Sequence, residues 1–400
     1  MPEKQDYLAN VDPMSFMGLL SMRKEKIDAG ETKPLPGTYT VNEKAKTLHP
    51  KEQYLIISKV TQHGSDAKSF ELIPNTAEGT KGCAYFRAGQ YISVLLDIDR
   101  AKVSRPYSIR SGQKDALNGK YILTIKGTEN GYASKYILEN WKAGMEVETS
   151  GPEGNFYYEP LRDAKHVVGI AGGSGITPFY SIACAIADGI EDCNLTLLYG
   201  SRTKDNILLK EEFDRLEANC SKIKVIHVLC DELDNECEIG FITAGLIKKY
   251  APADDYSIFL CGPQAMYDFV DKEIETLGLP IRRIRHELFG EYKNPEKEAD
   301  YPKDAVGKKY KLTVTVRGDK QAITCASSDT LLVAMERAGI TAPSRCRSGE
   351  CGYCHSRLVS GRVYIPKFVD GRRMADFKFG YVHPCCTFPL GDVEIDVPAK

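Results

Sequence analysis

The sequence has few features that would direct it to nucleic acid, to a membrane or out of the cell. Its 400 residues carry a net charge of only -2, so no excess of positive charge predicts nucleic-acid binding. The longest apolar stretch, residues 166–190, is interrupted by glycines and a proline, which predicts strand, loop and helix rather than a membrane span. The polar start, MPEKQDYLAN, shows no secretion signal. These absences predict a cytoplasmic protein without a membrane span.

Cysteine, by contrast, is abundant. In a reducing compartment the 13 cysteines are expected to stay free or to bind metal. Cys346, Cys351 and Cys354 have the spacing C-x4-C-x2-C, whereas zinc sites favour paired C-x2-C motifs. With one distant cysteine, this spacing is typical of a plant-type [2Fe–2S] centre. Cys385 and Cys386 are both candidates for the fourth ligand, and a structural zinc site is the alternative.

Hydrophobic patterning divides the chain into five segments. Six short strand-like runs in residues 51–160 predict a small antiparallel barrel. Alternating strands and helices in residues 161–289 predict a doubly wound parallel sheet. Residues 310–400 begin with a predicted hairpin and a helix, which is capped by Ser328 or Asp329 and ends at Gly339. Residues 290–309 are charged and predict a linker, and residues 1–50 predict an extension with one short helix, capped by an Asp, and an extended arm.

Glycine-rich and mixed polar motifs mark candidate ligand sites. AGGSGITP (171–178) and CGP (261–263) each follow a predicted strand and open a helix, where glycines let a backbone approach phosphate. RPYS (105–108) places Arg105 with Tyr107, and Pro106 with Ser108, on opposite faces of one strand. GYAS (131–134) opens another helix and forms a second candidate phosphate site. Taken singly, each motif is more typical of an ordinary turn, strand or cap than of a ligand site.

Taken together, the motifs RPYS, GYAS, GPEGNF, AGGSGITP, YGSR and CGP resemble the ferredoxin–NADP reductase superfamily in order and spacing. With its C-terminal cysteine loop, the chain is similar to the branch that includes phthalate dioxygenase reductase and the reductase component of phenylacetyl-CoA epoxidase. The resemblance implies an antiparallel β-barrel flavin domain, an α/β doubly wound nucleotide domain and an α+β (β-grasp) ferredoxin domain. It also selects Cys385 as the fourth ligand, since GYVHPCCTFP matches the family's last ligand segment.

The resemblance implies roles for individual residues. Ser108, Cys261 and Glu287 are implied to lie where hydride passes from nicotinamide to flavin. The implied metal ligands are Cys346, Cys351, Cys354 and Cys385. The implied cofactor-binding residues are Arg105, Pro106, Tyr107, Ser108, Gly131, Ser134, Gly172, Gly173, Gly175, Thr177, Ser201, Arg202, Asp205, Gly262, Pro263 and Phe289.

Electron counting connects the three implied carriers. Nicotinamide delivers two electrons as a hydride, a [2Fe–2S] centre accepts one at a time, and a flavin can do both. The expected function is therefore an NAD(P)H:acceptor oxidoreductase that reduces a partner oxygenase or reductase. Two alternatives stay open: a redox-sensing or electron-carrier module whose output is partner binding, and a self-contained flavin reductase of a small molecule.

Cofactor identity rests on finer detail. The residues around RPYSIRS and GYAS resemble the FAD branch of the family more than the FMN branch. Ser201, Arg202 and Lys204 are candidates for binding the 2′-phosphate of NADPH, whereas Asp205 is a candidate for the free 2′-hydroxyl of NADH. FAD and NADH are the expected pair.

The external partner is expected to be a protein electron acceptor with an acidic surface. Basic residues predominate around the cysteine loop, and such charge steers an encounter with an oppositely charged partner. The residues are Arg345, Arg347, Arg357, Arg362, Lys367, Arg372, Arg373 and Lys378, against the acids Glu350, Asp370 and Asp376.

The apolar face of the N-terminal helix is expected to pack on the barrel, with partner docking as the alternative.

Overall fold

A computed structural model describes residues 13–30, 37–99, 101–128 and 131–398 of the chain. The N-terminal segment contains two helices, α1 (Pro13–Asp28) and α2 (Thr40–Leu48). Helix α2 corrects the expectation of an extended arm: its sequence has no proline or glycine, and Glu43 pairs with Lys46 at 2.8 Å across one turn. The aspartate expected to cap α1 lies outside the described residues, and the packing of α1 stays a prediction.

The first sheet has six antiparallel strands in the order β4-β3-β6-β1-β2-β5. Its strands are β1 (Glu52–His63), β2 (Ala67–Pro74), β3 (Tyr91–Ile98), β4 (Ala101–Ser108), β5 (Tyr121–Lys126) and β6 (Glu146–Ser150), and its helices are α3 (Gln113–Leu117) and α4 (Tyr132–Asn140). Alternate residues of the strands, such as Leu55 and Ile57 or Ile92 and Val94, are buried in one core. The predicted antiparallel flavin barrel is confirmed as a half-barrel.

The second sheet is entirely parallel, with the strand order β10-β9-β8-β7-β11-β12. Its strands are β7 (His166–Gly172), β8 (Asn194–Ser201), β9 (Ile223–Leu229), β10 (Glu238–Ile239), β11 (Ser257–Cys261) and β12 (Ile284–Glu287). Its helices are α5 (Ile176–Ala187), α6 (Lys210–Asn219), α7 (Ala244–Tyr250) and α8 (Gln264–Glu275). The central strands are buried on both faces, which explains their continuous apolar runs. The predicted doubly wound domain is confirmed, with the two-residue β10 added at one edge.

The third sheet is mixed and has the order β14-β13-β19-β15-β17. Its strands are β13 (Lys309–Val316), β14 (Asp319–Ala326), β15 (Ser356–Ser360), β17 (Tyr381–Val382) and β19 (Val393–Val397), while β16 (Val363–Tyr364) pairs separately with β18 (Phe388–Pro389). Two helices, α9 (Leu331–Arg337) and α10 (Met374–Phe379), complete this domain. The cap expected at Ser328 or Asp329 is instead Thr330, whose hydroxyl accepts from the Val333 amide at 3.2 Å. Gly339 follows the helix as expected.

The segment expected to be a linker packs against the third domain. It contains two short 3₁₀ helices, Pro295–Lys297 and Lys303–Ala305. Tyr292 and Tyr301 are buried, and the Tyr301 hydroxyl donates to the Ser327 carbonyl at 3.1 Å. Such packing argues against a freely moving tether, while the domain boundaries themselves stay predictions. In the part of the chain that the structure describes, no helix has the length and apolar character that crossing a membrane requires.

Candidate functional site

Strand β4 places the RPYS residues opposite β3, with Ser108 facing Tyr91 and Arg105 facing Val94 in the register. Ser108 is buried, and among the described residues its hydroxyl has no hydrogen-bond partner. A buried hydroxyl without a partner is costly, so the site suits a ligand that supplies one. Tyr107, half-buried beside it, has its pKa raised by burial. This pocket wall therefore fits the flavin that the sequence predicts.

The GYAS turn lies at the start of α4. Gly131 is its N-terminal cap, and a β-carbon there would lie 2.3 Å from Ser134 Oγ and 2.4 Å from Thr128 Oγ1. Only glycine fits between these two hydroxyls. The exposed amides at the start of the helix, with two hydroxyls beside them, form a surface suited to phosphate.

Two loops meet at the carboxyl edge of the parallel sheet. A β-carbon on Gly175 would lie 2.2 Å from the Cys261 carbonyl, so only glycine lets the AGGSG loop pass over the end of β11. Thr177, buried in the first turn of α5, donates to the Ser174 carbonyl at 3.0 Å. The structure thus packs the loop that contains residues 172–177 against residues 261–263 at the carboxyl edge of the sheet, which is where parallel sheets bind nucleotides.

Cys261 and Glu287 end neighbouring strands and are paired in the register of β11 and β12. Both are buried, and burial raises the pKa of each side chain. The Tyr267 hydroxyl fixes this edge, since it donates to the Glu287 carbonyl at 2.5 Å and accepts from the Gly262 amide at 3.2 Å. Phe289 follows, partly exposed, with its ring edge-to-face against Tyr91 at 6.2 Å.

The residues expected at the adenosine ribose lie after β8. Arg202 and Asp205 are exposed, and Ser201 is half-buried. Lys204 is already engaged, because its ammonium lies 2.7 Å from the Asp234 carboxylate. These side chains share one loop at the cleft, and their charges are partly compensated by the loop after β9.

The predicted cysteines converge on one point of the third domain. Cys354 Sγ lies 3.4 Å from Cys385 Sγ, and hydrogen bonds from the Cys351 and Cys385 thiols lower the pKa of Cys346. Backbone amides point at these sulfurs: the Cys351 amide donates to Cys346 Sγ and the Tyr353 amide donates to Cys351 Sγ, both at 3.4 Å. Four sulfurs with amide donors around them fit the plant-type cluster that the spacing predicts.

Cys386 is also buried beside this group, and its thiol contacts Cys385. Its thiol donates to the His383 carbonyl at 3.5 Å. Cys385, in contrast, contacts both Cys346 and Cys354. The geometry supports Cys385 as the ligand and Cys386 as its neighbour.

The cysteine loop lies against the flavin half-barrel. Ser344 Oγ and Ser104 Oγ are 2.8 Å apart, Arg345 pairs with Glu153, and the Asn155 amide donates to Glu350 at 3.1 Å. These contacts join the loop to β4 and to the GPEGNF turn. The metal centre and the predicted flavin wall are therefore adjacent.

Tyr91 is a site residue that the sequence reasoning missed. It faces Ser108 across the sheet, its ring packs where a β-carbon on Gly154 would lie only 2.8 Å away, and it contacts Phe289. Charges on Cys346 and Cys351 add to burial in raising its pKa. Tyr91 thus contacts the half-barrel and Phe289, and it lies near enough to the cysteine loop for the charges of that loop to act on it. The sequence signal that could have located Tyr91 is the GPEGNF motif, because Gly154 of this motif packs against the Tyr91 ring.

Several basic residues of the expected docking cluster turn inward, which corrects that expectation. Arg347 is fully buried, with its guanidinium 2.6 and 2.8 Å from the two Glu336 oxygens, and it also pairs with Glu291. Arg345 faces Glu153, and Arg372 pairs with Asp370 at 2.8 Å. These three arginines form ion pairs within the protein, so their charges are already engaged and are not available to attract a partner.

An antiparallel flavin half-barrel, a parallel nucleotide sheet and a four-cysteine loop define an electron-transfer flavoprotein with its own iron–sulfur domain. Family models match each part: the oxidoreductase FAD-binding domain at residues 55–158, the oxidoreductase NAD-binding domain at 170–272 and the 2Fe-2S iron-sulfur cluster binding domain at 314–390. The chain belongs to the ferredoxin reductase-type oxidoreductases that carry a C-terminal [2Fe–2S] ferredoxin domain. It passes electrons from NAD(P)H through FAD to a [2Fe–2S] cluster.

Relatives span most of the chain. The ferredoxin reductase component of 3-ketosteroid-9-alpha-monooxygenase from Mycobacterium tuberculosis (strain CDC 1551 / Oshkosh) is 30% identical over 77% of this chain and 84% of its own length. One of the subunits of 1,2-phenylacetyl-CoA epoxidase from Escherichia coli (strain K12) is 27% identical over 79% of this chain and 89% of its own. The solved structure of phthalate dioxygenase reductase shares the fold, with a TM-score of 0.61 and 24% identity over 87% of this chain and 98% of that one.

Proposed function

We propose that the protein is the reductase component of a multicomponent oxygenase and delivers single electrons to an oxygenase partner. The relatives support this proposal, since one is a component of a monooxygenase and another is a component of an epoxidase. A cytoplasmic location stays a prediction.

The observation that carries the proposal is the direct contact between the cysteine loop and the flavin half-barrel. Ser344 meets Ser104, Arg345 meets Glu153, and Glu350 meets Asn155. This arrangement needs no additional carrier between flavin and cluster. It supports a chain that ends at an external acceptor.

The residues present divide the work. A bound flavin supplies the conversion of a two-electron hydride into single electrons. Arg105, Gly131 and Ser134 hold its phosphates, Pro106 and Tyr107 line its ring, and Ser108 supplies a hydroxyl at the ring's reacting edge. Cys261 and Glu287 would lie where nicotinamide meets that ring, and their burial would keep bulk water away; the partly exposed Phe289 would cover the site.

The second ligand, the nicotinamide dinucleotide, occupies the carboxyl edge of the parallel sheet. Its pyrophosphate lies on the start of α5, and the adenosine ribose lies at Ser201, Arg202 and Asp205. The residues proposed to contact the pyrophosphate are Gly172, Gly173, Gly175 and Thr177, with Gly262 and Pro263 on the facing loop. The close packing of the AGGSG and CGP loops at the start of α5 supports this placement.

The cluster is held by Cys346, Cys351, Cys354 and Cys385 in this proposal. Thiolate ligands suit iron in such a centre, and amide donors to sulfur tune its potential. The contacts among the four sulfurs, and the hydrogen bond from the Cys386 thiol to the His383 carbonyl, support this ligand set.

The partner docks at helix α10, whose exposed face combines apolar and basic side chains. Met374, Phe377 and Phe379 are 84%, 53% and 62% exposed, and Arg373 and Lys378 lie among them in exposed positions. Exposed aromatic residues flanked by charge are typical of interaction surfaces. These two residues belong to the wider basic cluster that the sequence suggested, in which Arg357, Arg362 and Lys367 are also exposed, and they favour an acidic partner surface.

The first experiment is an anaerobic NADH titration followed by visible spectroscopy. The proposal predicts bleaching of both the flavin and the cluster bands. Bleaching of the flavin alone would contradict the electron path and the ligand set. An absence of bleaching with both NADH and NADPH would refute the reductase function itself.

A charge-reversal experiment tests the docking surface. The double variant R373E/K378E should reduce an acidic flavodoxin at least ~10-fold more slowly than wild type at low salt, and basic cytochrome c faster, because encounter follows charge. The control is K309E on strand β13, which also reverses an exposed lysine of the same domain. Equal effects of the two variants on both acceptors would refute docking at α10.

A further inference from the structure

The loops that follow β8 and β9 are joined at the edge of the nucleotide sheet. The Cys230 amide donates to the Ser201 carbonyl at 3.2 Å, and the Asp231 amide donates to the Arg202 carbonyl at 3.0 Å. Residues 231–236, here called the acidic loop, therefore lie directly beside the residues proposed to meet the adenosine ribose. The sequence alone points only to the loop after β8.

Both cations of the first loop are engaged by carboxylates of the acidic loop. Lys204 Nζ lies 2.7 Å from Asp234 and 3.5 Å from Glu236, and its backbone amide donates to Glu232 at 2.6 Å. The Asp234 side chain is 18% exposed and the Lys204 side chain is 40% exposed, so the pair is partly open to solvent. Arg202 Nε lies 3.9 Å from Asp231. Lys204 is the closely paired cation, whereas the Arg202 side chain is 81% exposed and is only weakly compensated.

Carboxylates outnumber cations at this end of the cleft. The two cations Arg202 and Lys204 share the two loops with five acids: Asp205, Asp231, Glu232, Asp234 and Glu236. A phosphate monoester carries between one and two negative charges near pH 7, whereas a free ribose hydroxyl carries none. The same surface therefore repels a 2′-phosphate and is neutral toward a 2′-hydroxyl.

We propose that the acidic loop makes the protein select NADH over NADPH, by occupying Lys204 and by repelling the 2′-phosphate. The inference rests on the proposed function, since it requires a nicotinamide dinucleotide at this edge of the sheet. It moves the main determinant from Asp205, which the sequence suggested, to Asp234 and Glu236. Discrimination by repulsion of the wrong ligand is sufficient without a new contact to the right one.

The test compares the two nucleotides on the holoprotein. We measure kcat/KM for NADH and NADPH with ferricyanide as acceptor, and the dissociation constants of NAD+ and NADP+ by calorimetry. Wild type should prefer NADH at least ~10-fold, about 1.4 kcal/mol. In the double variant D234N/E236Q the NADPH-to-NADH ratio should rise at least ~10-fold, through a lower KM for NADPH and tighter NADP+ binding.

The control variant is D192N. Asp192 also bridges two lysines, Lys165 at 3.0 Å and Lys222 at 2.7 Å, but it precedes β8 at the opposite edge of the sheet. It removes one negative charge and should leave the nucleotide ratio unchanged. Because a double variant can fail to fold, D231N provides a second test with the same expected direction.

The outcomes are distinct. Equal use of both nucleotides by wild type would overturn the proposal, as would a ratio in D234N/E236Q and D231N that matches D192N. A failure of both nucleotides to reduce the flavin would instead refute the proposed function. A raised ratio with unchanged NADP+ affinity would also overturn the proposal, because repulsion acts on binding.

Discussion

Two buried serines of the flavin half-barrel offer a matched pair of substitutions. Ser93 on β3 and Ser108 on β4 both have hydroxyls without a hydrogen-bond partner among the described residues. Only Ser108 is proposed to face the flavin. Ser108→Ala should therefore slow NADH-driven flavin reduction about 10-fold, a loss of ~1.4 kcal/mol in transition-state stabilisation, while Ser93→Ala should not slow it.

Thermal unfolding completes this comparison. Removing a buried hydroxyl that lacks a partner costs little stability, so both alanine variants should unfold within a few degrees of wild type. Stopped-flow absorbance at the flavin band gives the rates. Equal rates in the two variants would remove Ser108 from the site.

Substitution of the neighbouring residues Cys385 and Cys386 tests which of the two is a ligand of the cluster. Cys385 Sγ contacts Cys354 at 3.4 Å, whereas the Cys386 thiol donates to a backbone carbonyl. Cys385→Ser should lose the cluster's visible absorption and its EPR signal on reduction, and Cys386→Ser should keep both. Iron analysis of the purified variants provides the measurement, and loss of iron from Cys386→Ser alone would assign the ligand to position 386.

At the scale of elements, the cysteine loop is tied to the flavin half-barrel by one ion pair. Arg345 and Glu153 are 17% and 21% exposed, so their pairing is partly shielded from solvent. Glu153→Gln removes the charge and keeps the shape. We expect cluster reduction to slow about 10-fold, or ~1.4 kcal/mol, while flavin reduction by NADH continues at the wild-type rate.

The control for this variant is Glu394→Gln. Glu394 pairs with Lys320 at 2.7 Å on the surface of the ferredoxin domain, and surface pairs of this kind contribute little. Stopped-flow traces at the flavin and cluster bands separate the two steps. If Glu153→Gln reduces its cluster as fast as Glu394→Gln does, the ion pair does not position the loop.

The elements themselves were largely predictable from local pattern. Buried strands such as β7 and β11 can be predicted from the sequence alone, because their runs of β-branched and apolar residues are stable only when both faces of the strand are buried. Boundaries were less accessible: Thr330, rather than Ser328 or Asp329, caps α9, since three adjacent residues can all act as caps and tertiary packing selects one. The helix Thr40–Leu48 was missed because it is short and has only three apolar residues, Val41, Ala45 and Leu48, none of them buried.

At the scale of the whole molecule, the pairing of charges could not be predicted. The sequence suggests Arg345 and Arg347 as exposed docking residues, yet their partners Glu153 and Glu291 lie outside the ferredoxin domain. Tyr91 was missed for the same reason, because its neighbours come from three segments distant in sequence. Motifs report what a local segment can do, whereas contacts between domains depend on how three separate folds are placed together.

Removal of iron tests how these folds depend on each other. Cys346, Cys354 and Cys385 are 3%, 5% and 1% exposed, and Cys354 and Cys385 lie in the core of the ferredoxin domain with Leu332 and Phe388. Metal binding to such thiols contributes folding free energy to that domain. After chelation, calorimetry should show the unfolding of this domain at a lower temperature than in the holoprotein. Reconstitution with iron and sulfide should restore the original transition.

The other two domains should be unaffected by this treatment. The residues proposed for hydride transfer come from the half-barrel and the parallel sheet, whose cores contain no iron ligand. Flavin reduction by NADH should therefore proceed within about twofold of the holoprotein rate, which is a small change in barrier height. A collapse of flavin reduction on iron loss, reversed by reconstitution, would show instead that the cysteine loop shapes the hydride-transfer site through Tyr91 and Glu153.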